Sequence, residues 1–265
     1  MRRIGWIWLT VVITCGLGVE ALAVDTNIDV RVLSKGAKFI GTGVAGAEIT
    51  IRDAETNELL ARGKAVGNSG DDRRIMVESW PRHAPLSTPT SAVFRATLDI
   101  DEPRQVVVAA RGPLSQPQSI AVATVTQWMV PGKHVTGGDG LTLELPGFSV
   151  DILYPPARQR VPAEQKRIEL RANVMMMCGC PIEPDGFCDA NAFEVVALIH
   201  QHDPRVGEMT FSYAGEIGQF TRVFPIPGPG PYDIPVYAFD PRNGNPGVDR
   251  TTIVVAAGAT QTEED

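Results

Sequence analysis

The residues in this chain best suited to chemistry lie between Met175 and Cys188, in the stretch MMMCGCPIEPDGFC. Thiolate and thioether sulfurs are soft donors that select Cu(I), and Met175, Met177, Cys178 and Cys180 fall within six residues of one another. A turn at Gly179 could gather Cys178, Cys180 and Cys188 around one ion, so Cu(I) is the cofactor this pattern implies. In an oxidising compartment the same cysteines would instead pair. A bridge from Cys178 or Cys180 to Cys188 closes a small loop over Pro181, Pro184 and Gly186, a local staple of about 2 to 3 kcal/mol by the chain-entropy argument. A Cys178–Cys180 bridge is short, strained and easily reduced. Three cysteines cannot all pair, and a reactive leftover thiol would make the chain a thiol-disulfide partner.

Other candidate groups stand apart from this loop. Asn68, Asp71 and Asp72 offer oxygens to calcium, but their spacing misses the DxDxDG pattern of an EF-hand loop. His134 lies near Asp139 in a turn-rich loop, an arrangement more typical of a surface pair than of a catalytic one. His200 and His202, with Asp203, form an HxH pair that a strand would project to one side. A full strand of roughly 25 to 30 Å, at about 3.3 Å per residue, separates that pair from the cysteines. Trp80, in the proline-containing loop after Gly67-Asn68-Ser69-Gly70, is the candidate for binding a partner.

No GxSxG elbow, HExxH, phosphate-cradling glycine loop or CxxC pair occurs, so the motifs of ordinary enzymes give no support for catalysis. The formal charge is −7. An acidic chain with scattered basic residues argues against nucleic acid or anionic lipid as a main partner. The N-terminus reads as an export signal: Met1-Arg2-Arg3 is basic, Ile4 to Val19 is apolar, and Ala21-Leu22-Ala23 is a small-x-small cleavage site. Cys15 falls in this discarded peptide, since Thr14 before it does not suit a lipid-anchor signal. Maturation near Val24 removes two arginines and one glutamate, leaving a periplasmic or secreted protein that needs no membrane once the signal is cleaved.

The elements that must position these residues are strands. With 26 Gly and 21 Pro and few runs of helical period, the chain reads as short strands and turns. Ala47, Ile49 and Ile51 alternate with Glu48, Thr50 and Arg52, and ELLARGK returns after the polar turn at 53–57. Further strands follow at 93–100, 105–110, 119–128 and 141–145, and the second set covers 168–177, 192–200, 208–213, 219–225, 232–239 and 250–255. The long aperiodic stretch 65–92 reads as a functional loop. Pro155, Pro156 and Pro162, among charged residues, mark a linker.

GAEITIRDAETNELLARGKAVG resembles the hairpin of bacterial immunoglobulin-like and transthyretin-like secreted modules. The last part, from Tyr232 through Asp240 and Asn243-Gly244 to Val255, resembles the terminal hairpin of bacterial immunoglobulin-like repeats. These likenesses imply fold alone. The expectation is an all-β protein of two tandem immunoglobulin-like sandwiches: a signal peptide at 1–23, a first domain at 24–152, a linker at 153–166, a second domain at 167–257 and an acidic tail at 258–265. It is expected to act without catalysis, as a binding or structural module whose partner is another envelope protein. Copper carriage and thiol-disulfide exchange are the alternatives.

Overall fold

The computed structural model describes residues 23–201 and 204–258. The expected signal peptide except Ala23, together with His202, Asp203 and all of the expected tail after Gly258, lies outside the described residues. The first sheet pair is built from β1 (Val24–Ser34), β2 (Glu48–Asp53), β3 (Leu59–Lys64), β4 (Phe94–Ile100), β5 (Arg104–Gly112), β6 (Ala121–Met129) and β7 (Leu141–Leu145). One sheet runs β4-β1-β7, with β1 antiparallel to β4 and parallel to β7; the other runs β3-β2-β5-β6, all antiparallel. Period-two alternation sends Ile28, Val30, Ile49, Ile51, Val106 and Val108 into a shared core, each fully buried. The β2–β3 turn is closed by Asp53, whose carboxylate accepts from the amides of Glu55 (2.9 Å) and Thr56 (2.7 Å).

The stretch 65–92 is pinned down rather than loose. Arg31, buried on β1, donates to the carbonyls of Ser91 and Ala92, both at 2.9 Å. Asp139 accepts from the amides of Leu86 (2.7 Å) and Ser87 (2.8 Å), while His134 accepts from the amide of Asn27 (3.0 Å). The supposed His134/Asp139 pair is thus two separate clamps. The stretch also holds a helical turn that the pattern did not reveal, α1 (Asp72–Met76), capped by Asp71 accepting from the Arg74 amide at 2.7 Å.

The second sheet pair comprises β8 (Phe148–Tyr154), β9 (Gln159–Val161), β10 (Arg167–Met176), β11 (Glu194–Gln201), β12 (Arg205–Thr210), β13 (Ser212–Tyr213), β14 (Gln219–Pro225), β15 (Gly230–Asp240) and β16 (Asn245–Val255). A sheet of order β13-β14-β10-β8 faces one of order β12-β11-β15-β16-β9. This is the immunoglobulin-like strand order, and its tyrosine corner is present. Tyr232, buried near the start of β15, donates its hydroxyl to the carbonyl of Gly228 at 3.0 Å. The β15–β16 turn closes through the Gly244 amide on the Asp240 carbonyl (2.8 Å), with Gly244 at φ +70.

The linker reading of 153–166 is corrected. β8 pairs antiparallel with β10, and β9 pairs parallel with β16, so this stretch is the split first strand of the second sandwich. Both pieces are edge strands, where a proline's missing donor does little harm. Pro155 and Pro156 interrupt the pairing and pass the chain from one sheet to the other; they do not end a domain. The second sandwich accordingly begins at β8, inside the range assigned to the first, and only Pro146 and Gly147 connect β7 to β8.

So short a connection draws the two sandwiches into contact. Met177 lies in the core of the first sandwich, and Ala37 of the first packs in the core of the second. Asn245, fully buried, accepts from the Gly147 amide at 2.6 Å and donates to the Gly147 carbonyl at 3.1 Å. Replacing Asn245 by alanine would strand both backbone groups away from water. Asn245→Ala is expected to lower the urea-unfolding free energy by about 2 kcal/mol or more; a change within a few tenths would show that the seam carries no weight.

Candidate functional site: a buried thiol cluster

The three cysteines meet at this seam. β10 ends at Met176, and the chain turns through Gly179, whose amide donates to the Met176 carbonyl at 2.8 Å. Gly179 has φ +80, and a Cβ there would come within 2.7 Å of Val44 in the first sandwich, so glycine alone fits. The loop then doubles back on itself. Ile182 is fully buried and accepts from the Gly218 amide at 2.8 Å, and the Glu183 amide donates to the Cys188 carbonyl at 3.3 Å. Asp189 braces the end of the loop, accepting from the amides of Asn191 (3.0 Å) and Asp185 (3.3 Å). These bonds return Cys188 to the side of Cys180.

Cys178, Cys180 and Cys188 are all buried and all free thiols. The sulfurs of Cys178 and Cys180 stand 2.8 Å apart, well beyond a disulfide bond length. Cys188 lies on the other side of Cys180, and these two line a common cleft. The stretch is therefore not the exposed rim that its place between two strands suggests, because the first sandwich covers it. A cleft of about 50 Å³ is lined by Cys180, Cys188, Pro181, Glu183 and Phe187 from the loop and by Lys38, Asp72 and Met76 from the first sandwich. Asp72 pairs with the Lys38 ammonium, which removes it from any calcium group with Asn68 and Asp71. Asn68 is itself used by the Gly70 amide and by Thr90.

The electrostatics distinguish the three thiols. The contact with Cys180 and burial together push the Cys178 pKa far up. For Cys180 the contact with Cys178 favours the thiolate, but the neighbouring Cys188 and burial outweigh that, and the thiol is pushed up to about 12. The neighbouring Cys180, with the fields of Lys38 and Arg242, lowers the Cys188 pKa despite burial. Burial lowers the Lys38 pKa, but the bond to Asp72 together with the negative charge of Asp72 and the nearby sulfurs outweighs it, and the pKa is raised. Arg242 is fixed by a two-pronged bond to Asp240 (2.8 and 2.9 Å) and lies over the Phe193 ring. Of the three, Cys188 alone is the acidic thiol.

The remaining candidates fall elsewhere. Met175 points outward on β10, partly exposed, and Met177 is spent in the first core against Gly147, so neither joins the thiols. The alternation argument failed there because Met177 lies past the strand end, in the turn. Among the described residues no group of three or more His, Cys, Asp or Glu side chains has a metal-holding arrangement. His200 sits at the far end of β11 from the loop, partly buried. Trp80 is half-buried beneath the Arg74 guanidinium, 5.2 Å from its ring. Lys38, Met76 and Arg242 were missed, since nothing in their local sequence marks them; only the packing of one sandwich on the other brings them to the cysteines.

No family model matches the chain, and no curated protein matches it in sequence. Solved structures share its shape loosely. An engineered protein shows 15% identity and a TM-score of 0.32 over 48% of this chain, which spans 24% of that one. The fibronectin(III)-like modules of Clostridium thermocellum CbhA show 11% identity and a TM-score of 0.30, with 82% of each chain covered. A putative membrane-anchored protein of Corynebacterium diphtheriae shows 11% identity and a TM-score of 0.28, covering 90% of this chain and 50% of that one.

The acidity of Cys188 can be read directly. Thiolate absorbance in the ultraviolet should rise at a pH below that of an ordinary cysteine and be missing from Cys188→Ser. Lys38→Met removes a charge that favours the thiolate, so the midpoint should move upward. An unchanged midpoint would mean that Lys38 does not act on this sulfur.

Proposed function

We propose that this chain is an exported module of the bacterial cell envelope that works by binding or by structure rather than by catalysis. The observation that carries the reading is the seam. Each sandwich buries a residue in the core of the other, and Asn245 bonds the two-residue connection from the second. Two sandwiches on a free linker would sample many orientations, whereas an interlocked pair holds its outer edges and loops at fixed separation. A fixed pair of edges suits the display of a surface to a partner envelope protein.

The surface that fits such a partner best is β6. It is the outer strand of its sheet, nine residues long, and AVATVTQWM contains neither charge nor proline. Edge strands usually carry such features to block pairing, and an unprotected one accepts an added strand through its free backbone groups. Its own Val122 and Trp128 are more than half exposed. An extended segment of a partner protein, paired with β6 and seated on Trp128, is the occupant we infer. Trp80, held under Arg74, serves the loop instead. No helix among the described residues is long and apolar enough to cross a membrane, and export rests on the N-terminal signal.

A photo-crosslinker placed at Thr124 on β6 in intact cells tests this. The mature chain should begin near Val24 and give one defined adduct, which disappears when Val125→Lys puts a charge on the strand. A crosslinker at Glu208 on β12 should give none. Equal adducts at both positions, or an adduct indifferent to Val125→Lys, would contradict the reading.

A further inference from the structure

The thiol cluster has a use that the binding reading does not absorb. Three sulfurs are buried at one seam, yet only Cys180 and Cys188 line the cleft that leads to it. A cleft of about 50 Å³ holds a few waters, since one water needs roughly 10–15 Å³ of such space. It has no room for a peptide disulfide or for another protein's cysteine. The cation of Lys38 lies on its wall. Redox-reactive cysteines share three features: thiolate character, access for the oxidant, and a second thiol in reach. Cys188 has all three, with access restricted to the smallest oxidants.

We propose that Cys188 is a peroxide-reactive thiol and that Cys180 is the thiol that resolves its oxidised form. The Cys188 thiolate attacks one oxygen of hydrogen peroxide. An S–O bond forms, the O–O bond breaks, and the departing hydroxide takes up the proton that Cys188 released on ionising, carried by the water of the cleft, and leaves as water, with Cys188 now a sulfenic acid. The Cys180 sulfur then attacks the Cys188 sulfur. An S–S bond forms, the S–O bond breaks, and the hydroxyl leaves with the Cys180 proton as water. Two thiols have lost two electrons to one peroxide, which becomes two waters. Cys178, 2.8 Å behind Cys180, takes no part in the bond changes and holds the Cys180 sulfur in place. Its own high pKa keeps it protonated and unreactive.

The full mature chain treated with equimolar hydrogen peroxide tests this. Intact mass should fall by two hydrogens per chain, and peptide mapping should find a Cys180–Cys188 bridge with Cys178 still alkylated after denaturation. Oxidised glutathione in excess should leave the native protein without an adduct. In Cys180→Ser, dimedone should label Cys188 after peroxide. The wild-type mapping stands even if that variant fails to fold. A wild-type bridge between Cys178 and Cys180, dimedone on Cys178, a glutathione adduct on the native protein, or thiols untouched by peroxide until unfolding would each overturn the proposal.

Discussion

The exchange of buried groups between the two sandwiches is the constraint on which the rest of this molecule depends. Two residues connect β7 to β8, too few to hold two sandwiches apart. Contact is therefore obligatory, and the chain makes it with apolar and fully paired groups. Met177 fills space in the first core, and Asn245 satisfies both backbone groups of Gly147. A buried amide side chain is costly unless its bonds are made, so the geometry of the seam is specified closely as well as stabilised.

The thiol cluster is a consequence of that contact. Cys178 and Cys180 leave β10 at the point where Met177 enters the first core, and the loop brings Cys188 back beside them. All three sulfurs pack into the second core at the end of β10. The first sandwich covers them with Lys38, Asp72 and Met76, and Arg242 acts from within the second. Burial by itself would raise all three thiol pKa values. The neighbouring Cys180, and after it the cations of Lys38 and Arg242, make Cys188 the acidic one. Many other ionisable side chains are spent on structure: Asp53 and Asp189 close turns, Asp139 clamps a loop, and Arg31 ties down residues 91 and 92.

Strands were the most legible part of the chain, because one face of each is buried and a period of two must follow. The tyrosine opening β15 and the Asn243-Gly244 turn also read correctly, since both depend on local chemistry. What failed was whatever tertiary packing decides. Prolines at 155, 156 and 162 signal a break in pairing, and nothing local distinguishes a linker from a split edge strand. The three methionines share a composition but part ways in space: Met175 outward, Met176 into the second core, Met177 into the first. Cys178, Cys180 and Cys188 could be named as a group from spacing, while Lys38, about 140 residues earlier, could not. The short helix α1 went unseen because one capped turn is too brief to show a period.

Native-state hydrogen exchange measured peptide by peptide tests the interlocked seam most directly. If the sandwiches stand or fall together, the slowest amides of β5 in the first and of β10 and β15 in the second open with one common free energy. Met177→Ala should then lower that value in both sandwiches together. Two distinct opening energies, with the substitution felt on one side alone, would show that the sandwiches are independent neighbours and would contradict this account.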